Sequence, residues 1–207
     1  MSDGEWPPIG VLISGRGSNL GALIDAIRDQ RLRARIAVVI ANRPGAAGLE
    51  RARAAGIETL VLSHRDYETR DAFDAAIAAE LKGRGVTLVC LAGFMRLVGA
   101  PLLDAYPNAI LNIHPSLLPA FPGVDAQRQA IEYGVRVSGA TVHLVTAELD
   151  GGPIVLQAAV PVEQDDTADT LAARILVEEH RLYPKAVEVV LRGGWRVEGR
   201  RFLRADS

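Results

Sequence analysis

Cysteine is almost absent: Cys90 is the only one in 207 residues. No intrachain disulfide can form, and neither Cys nor His recurs at metal-ligand spacing, so no metal site is expected. Cys90 sits in the apolar run 86–92 and reads as a buried, inert thiol. Long hydrophobic runs are absent too. The longest are strand-sized, too short to cross a bilayer, and the acidic start, Met1-Ser-Asp-Gly-Glu-Trp-Pro-Pro, has no apolar secretory core. Net charge is small, with 23 Lys and Arg against 25 Asp and Glu. That balance argues against a nucleic-acid partner and leaves room for a local basic patch facing a small phosphorylated ligand. There is no repeat, low-complexity tract or interdomain linker. A cytoplasmic, reducing setting is expected, with no membrane partner.

What is present is an alternation of β-rich runs and helical patterns. Strands are expected at 9–14, 35–42, 57–62 and 86–92, with helices near 19–30, 46–55 and 67–82. Phe73, Ile77 and Leu81 recur at four-residue steps, a helix-face spacing. The strand runs are nearly continuous in Val, Ile and Leu, as in parallel strands covered on both faces. After about residue 108 the pattern changes. A strand at 109–114 leads into a Pro-rich loop, 115–123, and a helix from about 125 to 133. Two longer β runs, 135–145 and 153–162, are joined by a seven-residue turn, which suits an antiparallel pair. A long helix follows from Thr167 to about Leu191, capped by Asp166-Thr167 and stopped by Gly193-Gly194. The tail 195–203 reads as a last strand or a hairpin. The fold class is α/β: a Rossmann-like, mostly parallel sheet flanked by helices, with an antiparallel strand pair in the C-terminal half.

The first strand ends in Ser14-Gly-Arg-Gly-Ser-Asn19. Closely spaced glycines allow a sharp turn and close approach to a ligand, and the helix N-terminus that follows favours an anion. Ser18 or Asn19 would cap the helix and donate to phosphate. The same residues are equally readable as a plain tight βα turn. The third glycine falls one step late for a dinucleotide fingerprint, and the second strand ends in Asn42-Arg43 without the acidic residue that would hold a ribose. A nicotinamide cofactor is therefore disfavoured, and no Gly-Lys-Ser/Thr follows to make a nucleotide triphosphate loop.

Asn112-Ile-His114-Pro115 is the most informative segment. Residues two apart in a strand share a face, and Pro115 places the pair at the strand's C-terminal end, where open α/β sheets bind ligands. An amide beside an imidazole suits acyl transfer: the amide can stabilise an oxyanion, and the imidazole can move a proton near neutral pH. A hydrogen-bonded structural histidine remains the alternative. Asp150, in Glu148-Leu-Asp-Gly-Gly-Pro153, is the candidate partner, with two glycines freeing the backbone to turn it inward and its charge favouring protonated His114. An ordinary Asp-Gly turn is the competing reading. His143 shares a face with Thr141 and reads as a core histidine or a support to the site. His64 reads as a surface loop residue, and His180 as lining a site or facing solvent.

Four segments in this order, Ser14-Gly-Arg-Gly-Ser-Asn19, Leu91-Ala-Gly-Phe-Met-Arg96, Asn112-Ile-His-Pro-Ser-Leu-Leu-Pro119 and Glu148-Leu-Asp-Gly-Gly-Pro153, resemble the phosphoribosylglycinamide formyltransferases (glycinamide ribonucleotide transformylases), a folate-dependent formyltransferase family of purine synthesis. The resemblance runs from about Ile9 to the end of the last helix. It implies one formyltransferase domain over 1–207, with a nucleotide-binding half at about 9–107 and a folate and catalytic half at about 108–203. It implies transfer of a formyl group from 10-formyltetrahydrofolate, as co-substrate, to the amine of glycinamide ribonucleotide. Asn112, His114 and Asp150 fall on the catalytic positions. Gly17, Ser18 and Asn19 fall on the phosphate loop, and Glu179 on a ribose contact. Arg70, Met95, Arg96, Leu97, Val98, Asn112 and Thr146, Ala147, Glu148, Leu149, Asp150 fall on folate contacts, the last stretch largely through backbone. Leu91, Met95, Leu97 and Val98 would floor an apolar cleft for the pterin. The chain departs from the pattern at Asp125, where many relatives carry His, and at Arg16. A transferase acting on tRNA would need a further RNA-binding domain, and a formylfolate hydrolase a regulatory domain before the first strand. A non-catalytic nucleotide sensor is the rival of another class, and a homodimer is left open.

Overall fold

Residues 6–205 are described by the computed structural model. The start expected to lack a secretory core begins with residues 1–5, which lie outside them. The chain divides into two compact units, Met1–Leu111 and Asn112–Ser207.

The first unit runs β1 (Pro8–Ile13), α1 (Ser18–Arg28), β2 (Arg35–Ala41), α2 (Gly48–Ala54), β3 (Thr59–Val61), α3 (Arg70–Gly83), β4 (Leu88–Leu91) and α4 (Ala100–Ala105). Its strands lie in the order β3-β2-β1-β4, all parallel. Ile9, Val11, Leu12, Ile13, Val39, Ile40 and Cys90 are fully buried, which explains why these runs lack polar alternation: helices cover both faces. Each such Val, Leu or Ile side chain contributes about 1.5–3 kcal/mol on burial. In α3 the expected stripe Phe73, Ile77 and Leu81 is buried, and Thr69 caps the helix through the Ala72 N–H at 3.1 Å. The sequence reading did not foresee α4.

The second unit takes up β5 (Ile110–His114) and continues through α5 (Ala126–Tyr133), β6 (Val137–Leu144), β7 (Ile154–Pro161), α6 (Ala168–Arg192), β8 (Trp195–Glu198) and β9 (Arg201–Arg204). The strands are ordered β5-β6-β7-β9-β8. β6 and β7 form the expected antiparallel pair, with a register slip between Val142 and His143. The tail is a hairpin, β8 against β9, with Trp195 stacked on Phe202 at 4.9 Å. Thr167 caps α6 in a reciprocal box with Thr170, and Gly193 ends the helix at φ 71°. The fold is thus the expected mostly parallel α/β sheet flanked by helices, with an antiparallel pair in the C-terminal half. Among the described residues no helix is long and apolar enough to cross a membrane.

Candidate active site

At the end of β5, the side chains of Asn112 and His114 share one face, as a two-residue repeat requires. His114 is buried, and its Nε2 donates to the Phe121 carbonyl at 2.8 Å. Phe121 has a positive φ of 55°, a conformation an aromatic residue holds only when its surroundings enforce it. The surroundings here are a staple between the Pro-rich loop and β6–β7. Thr141 Oγ1 donates to the Ser116 carbonyl at 2.7 Å and accepts from the Leu118 N–H at 3.0 Å. Gln157 Nε2 adds the Leu118 carbonyl at 2.9 Å, and Ser116 Oγ donates to the Ala120 carbonyl at 2.5 Å. Thr141, which faces the loop from β6, thereby fixes where the Phe121 carbonyl points.

Asp150 comes from the β6–β7 connection. Its Oδ2 accepts the Gly123 N–H at 2.8 Å and stands 3.4 Å from His114 Nδ1, while Oδ1 stands 3.6 Å from His143 Nε2. The two glycines after it act differently from expectation. The positive φ, 49°, belongs to Asp150 itself, a residue type that tolerates the left-handed region. Gly151 and Gly152 serve close approach: a Cβ on Gly152 would run into the Leu144 carbonyl, and one on Gly151 into the Glu148 side chain.

His143 is the residue that sequence reasoning underrated. It is buried, its Nδ1 donates to the Leu144 carbonyl at 3.0 Å, and its Nε2 meets the Asn112 amide nitrogen at 3.2 Å. A carbonyl only accepts, so Nδ1 carries the proton and Nε2 of the neutral ring accepts from the amide. That pairing fixes which end of Asn112 is nitrogen. The register slip beside His143 re-aims it. A histidine between Val142 and Leu144, two residues from a threonine on the same face, was the available signal.

Electrostatics correct one expectation. Burial pushes the His114 imidazole below its ordinary pKa, and the Phe121 carbonyl and the Asp150 charge only partly offset it. The resting ring is therefore neutral near pH 7 rather than held as imidazolium. Burial alone would raise the Asp150 carboxyl, but His143, the Gly123 N–H and His114 together carry it below the usual carboxylate range. Asp150 is thus a fixed negative charge beside a proton-poor imidazole.

In the first unit, the glycine turn is built for close packing as well as for turning. Gly17 sits at φ 67° as the N-cap of α1, and a Cβ there would lie 2.7 Å from the Gly48 Cα. Ser18 and Asn19 fall inside the first helical turn and provide no cap, which corrects the expectation for both. The Gly15 carbonyl accepts from Gly48 N–H at 3.0 Å, and the Ser14 carbonyl accepts from Arg43 Nε. His64, read as a surface residue, is half-buried with its Nδ1 3.3 Å from the Asn42 carbonyl. Arg70 opens α3 and is exposed. Met95 and Leu97 are largely exposed, Arg96 and Val98 half-buried. In the second unit, Ala147, Glu148 and Leu149 are exposed, with Thr146 half-buried, and Glu148 is paired with Arg200 at 2.9 Å. Glu179 is buried on α6, and His180 beside it half-buried. Asp125 sits at φ 55° as the N-cap of α5 without a side-chain cap bond.

The sequence pattern described as "Formyl transferase" matches residues 8–187. A phosphoribosylglycinamide formyltransferase of Escherichia coli (strain K12) is 44% identical, over 92% of this chain and 87% of that protein. The chain belongs to the formyl transferase family. A crystal structure of glycinamide ribonucleotide transformylase 1 from Symbiobacterium toebii superposes with a TM-score of 0.96 at 58% identity, covering 98% of this chain and 96% of that one. The human trifunctional purine biosynthetic protein adenosine-3 is 48% identical over 89% of this chain. The chain spans only 18% of the length of that human relative, so the likeness there is to one part of a longer protein.

Proposed function

We propose that this chain transfers a formyl group from 10-formyltetrahydrofolate to the amine of glycinamide ribonucleotide, a step of purine synthesis carried out in the cytoplasm. The observation that carries the reading is the convergence of Asn112, His114 and His143 with Asp150 in a member of the formyl transferase family. In this reading Gly17, Ser18 and Asn19 hold the nucleotide's phosphate at the start of α1, and Glu179 holds its ribose. Arg70, Met95, Arg96, Leu97, Val98 and the stretch Thr146–Asp150 hold the folate.

The chemistry follows from the hydrogen-bond inventory. The Asn112 amide nitrogen has two hydrogens; His143 takes one, and the other is available to a formyl oxygen. The Phe121 carbonyl marks a place where an acceptor oxygen satisfies His114 Nε2–H, and a formyl oxygen that displaces it gains that donor. Attack by the uncharged amine turns this oxygen into an oxyanion, and each such donor is worth about 2.7–4 kcal/mol of barrier. The attacking nitrogen must then shed one proton and the departing folate nitrogen must gain one, so protons balance. His114 carries that proton, and Asp150 at 3.4 Å stabilises the ring while it is charged.

The test mixes the protein with 10-formyltetrahydrofolate, with and without glycinamide ribonucleotide. Release of tetrahydrofolate only when the amine is present supports the transferase. Release without it points to hydrolysis, and binding without release to a sensor.

A further inference from the structure

Asp74, on α3, is 1% exposed, and the chemistry above gives it no task. Its Oδ2 accepts the Gly99 N–H at 2.5 Å, and Gly99 is the N-cap of α4. Gly99 has no side chain to cap with, and Pro101 in the first turn has no N–H to offer. Asp74 thus accepts the N–H of the N-cap residue and brings negative charge to the helix start from a neighbouring helix, the part that a third-residue Glu or Gln plays in a capping box. Burial raises its carboxyl pKa, and the Gly99 N–H and the charges of Arg70 and Arg96 oppose that rise. A carboxylate is kept at such a desolvation cost only where its partners repay it.

The stretch that this bond ends is the irregular segment between β4 and α4, which holds Met95, Arg96, Leu97 and Val98. Its other fastenings are also visible. The Met95 N–H donates to Ser14 Oγ at 2.9 Å, and the Arg96 guanidinium lies 5.5 Å over the Phe73 ring, one residue before Asp74 on α3. The Asp74–Gly99 bond closes the segment's far end against the same helix. A Cβ on Gly99 would lie 2.9 Å from Asp74 Oδ2, so glycine there is what lets the carboxylate reach the backbone.

We infer that Asp74 is a positioning residue: by gripping the Gly99 N–H it sets Met95–Val98 in the conformation that the folate donor requires. The inference rests on the reading of those residues as donor contacts. The test uses the full chain and three variants, Asp74→Ala, Asp74→Asn and Gly99→Ala. Hydrogen exchange without any ligand reads the grip, and steady-state kinetics with each substrate varied reads its consequence. Asp74→Ala should speed exchange at 95–99 about tenfold, the loss expected for a bond to a charged acceptor, with β1 amides unchanged. The KM for 10-formyltetrahydrofolate should rise about tenfold, while kcat and the KM for the amine stay within about twofold. Asp74→Asn keeps an acceptor oxygen and should recover the donor KM to within about threefold. Gly99→Ala attacks the same contact from the opposite side and should copy Asp74→Ala, which keeps the test alive if Asp74→Ala does not fold. Unchanged exchange at 95–99 in the folded variants, or a fall in kcat with both KM values rising together, would overturn the inference. A wild-type chain inactive with this donor would sink the reading of the segment, whereas the exchange measurement judges the grip by itself.

Discussion

Replacing Asp150 by asparagine removes a charge and leaves almost everything else in place. The amide oxygen can still accept the Gly123 N–H that Asp150 Oδ2 now accepts at 2.8 Å, so the β6–β7 connection keeps its anchor. What changes is the support for a proton on His114. A unit charge 3.4 Å from His114 Nδ1 stabilises an imidazolium by about 5 kcal/mol at an effective dielectric of about 20. Dielectric relaxation within the folded protein reduces this to about 2–4 kcal/mol, or roughly 30- to 1000-fold in rate. With its oxygen held by Gly123, the asparagine presents that uncharged oxygen to His114 and turns its NH2 to the Oδ1 place, facing His143 Nε2. Asp150→Asn should therefore lower kcat by that factor and leave both KM values within about threefold. The assay is the absorbance change on deformylation of the folate, beside a thermal melt showing the variant folded. A folded Asp150→Asn protein with kcat within about threefold of wild type would refute a charge role for Asp150.

Other outcomes follow from neighbouring residues. The folded-state pKa of His114 is depressed, so its contribution to stability is complete above the unfolded value of about 6.5 and is lost as pH falls toward the folded value. Denaturant titrations from about pH 7 to 5 should show stability falling by at most about 1.4 kcal/mol per pH unit from this group, and His114→Gln should flatten that slope. His143→Phe removes the acceptor that orients Asn112; kcat should fall about tenfold or more, and a folded variant with unchanged kcat would dismiss the orienting role. Gly17→Ala combines a φ of 67° with a Cβ 2.7 Å from Gly48 Cα, and should cost at least about 2 kcal/mol in a urea melt, while Ser18→Ala should leave stability unchanged and raise only the KM for the nucleotide. Thr167→Ala breaks the α6 capping box and should lower stability by about 1 kcal/mol with turnover unaltered.

Much of the fold was legible because its signals are local. Continuous Val and Ile runs announce strands covered on both faces, and the Phe73, Ile77, Leu81 spacing announces α3. The Asn112 and His114 pairing was legible for the same reason, since a two-residue repeat settles which side chains share a face. What escaped depends on contacts made far along the chain. α4 is six residues long, with Gly99 as its N-cap and a proline in its first turn, and the N–H of that N-cap is held by Asp74 on another helix. His143 looks like core in sequence, because its neighbours are apolar; only the register slip against β7 and the approach of Asp150 give it a task. Ser18 and Asn19 have good cap chemistry, yet Gly17 takes the cap position because a left-handed turn packed against Gly48 admits nothing larger.

Two imidazoles flank one carboxylate, and their carbonyl partners separate their roles. His143 Nδ1–H is bound to the Leu144 carbonyl of its own strand, a partner no substrate can displace without breaking β6. Its proton is fixed, its Nε2 faces Asn112, and its effect on chemistry passes through the orientation of that amide. His114 Nε2–H is bound instead to Phe121, in a loop whose left-handed backbone at that residue is held by side-chain bonds from Thr141 and Gln157. On the proposed mechanism that bond is exchanged for one to the formyl oxygen. With Nε2–H committed to an acceptor, the bare Nδ1 of neutral His114 faces Asp150, so a proton arriving there lands beside a negative charge already in place. On the proposed mechanism this asymmetry assigns the moving proton to His114 and the orientation of the Asn112 amide to His143.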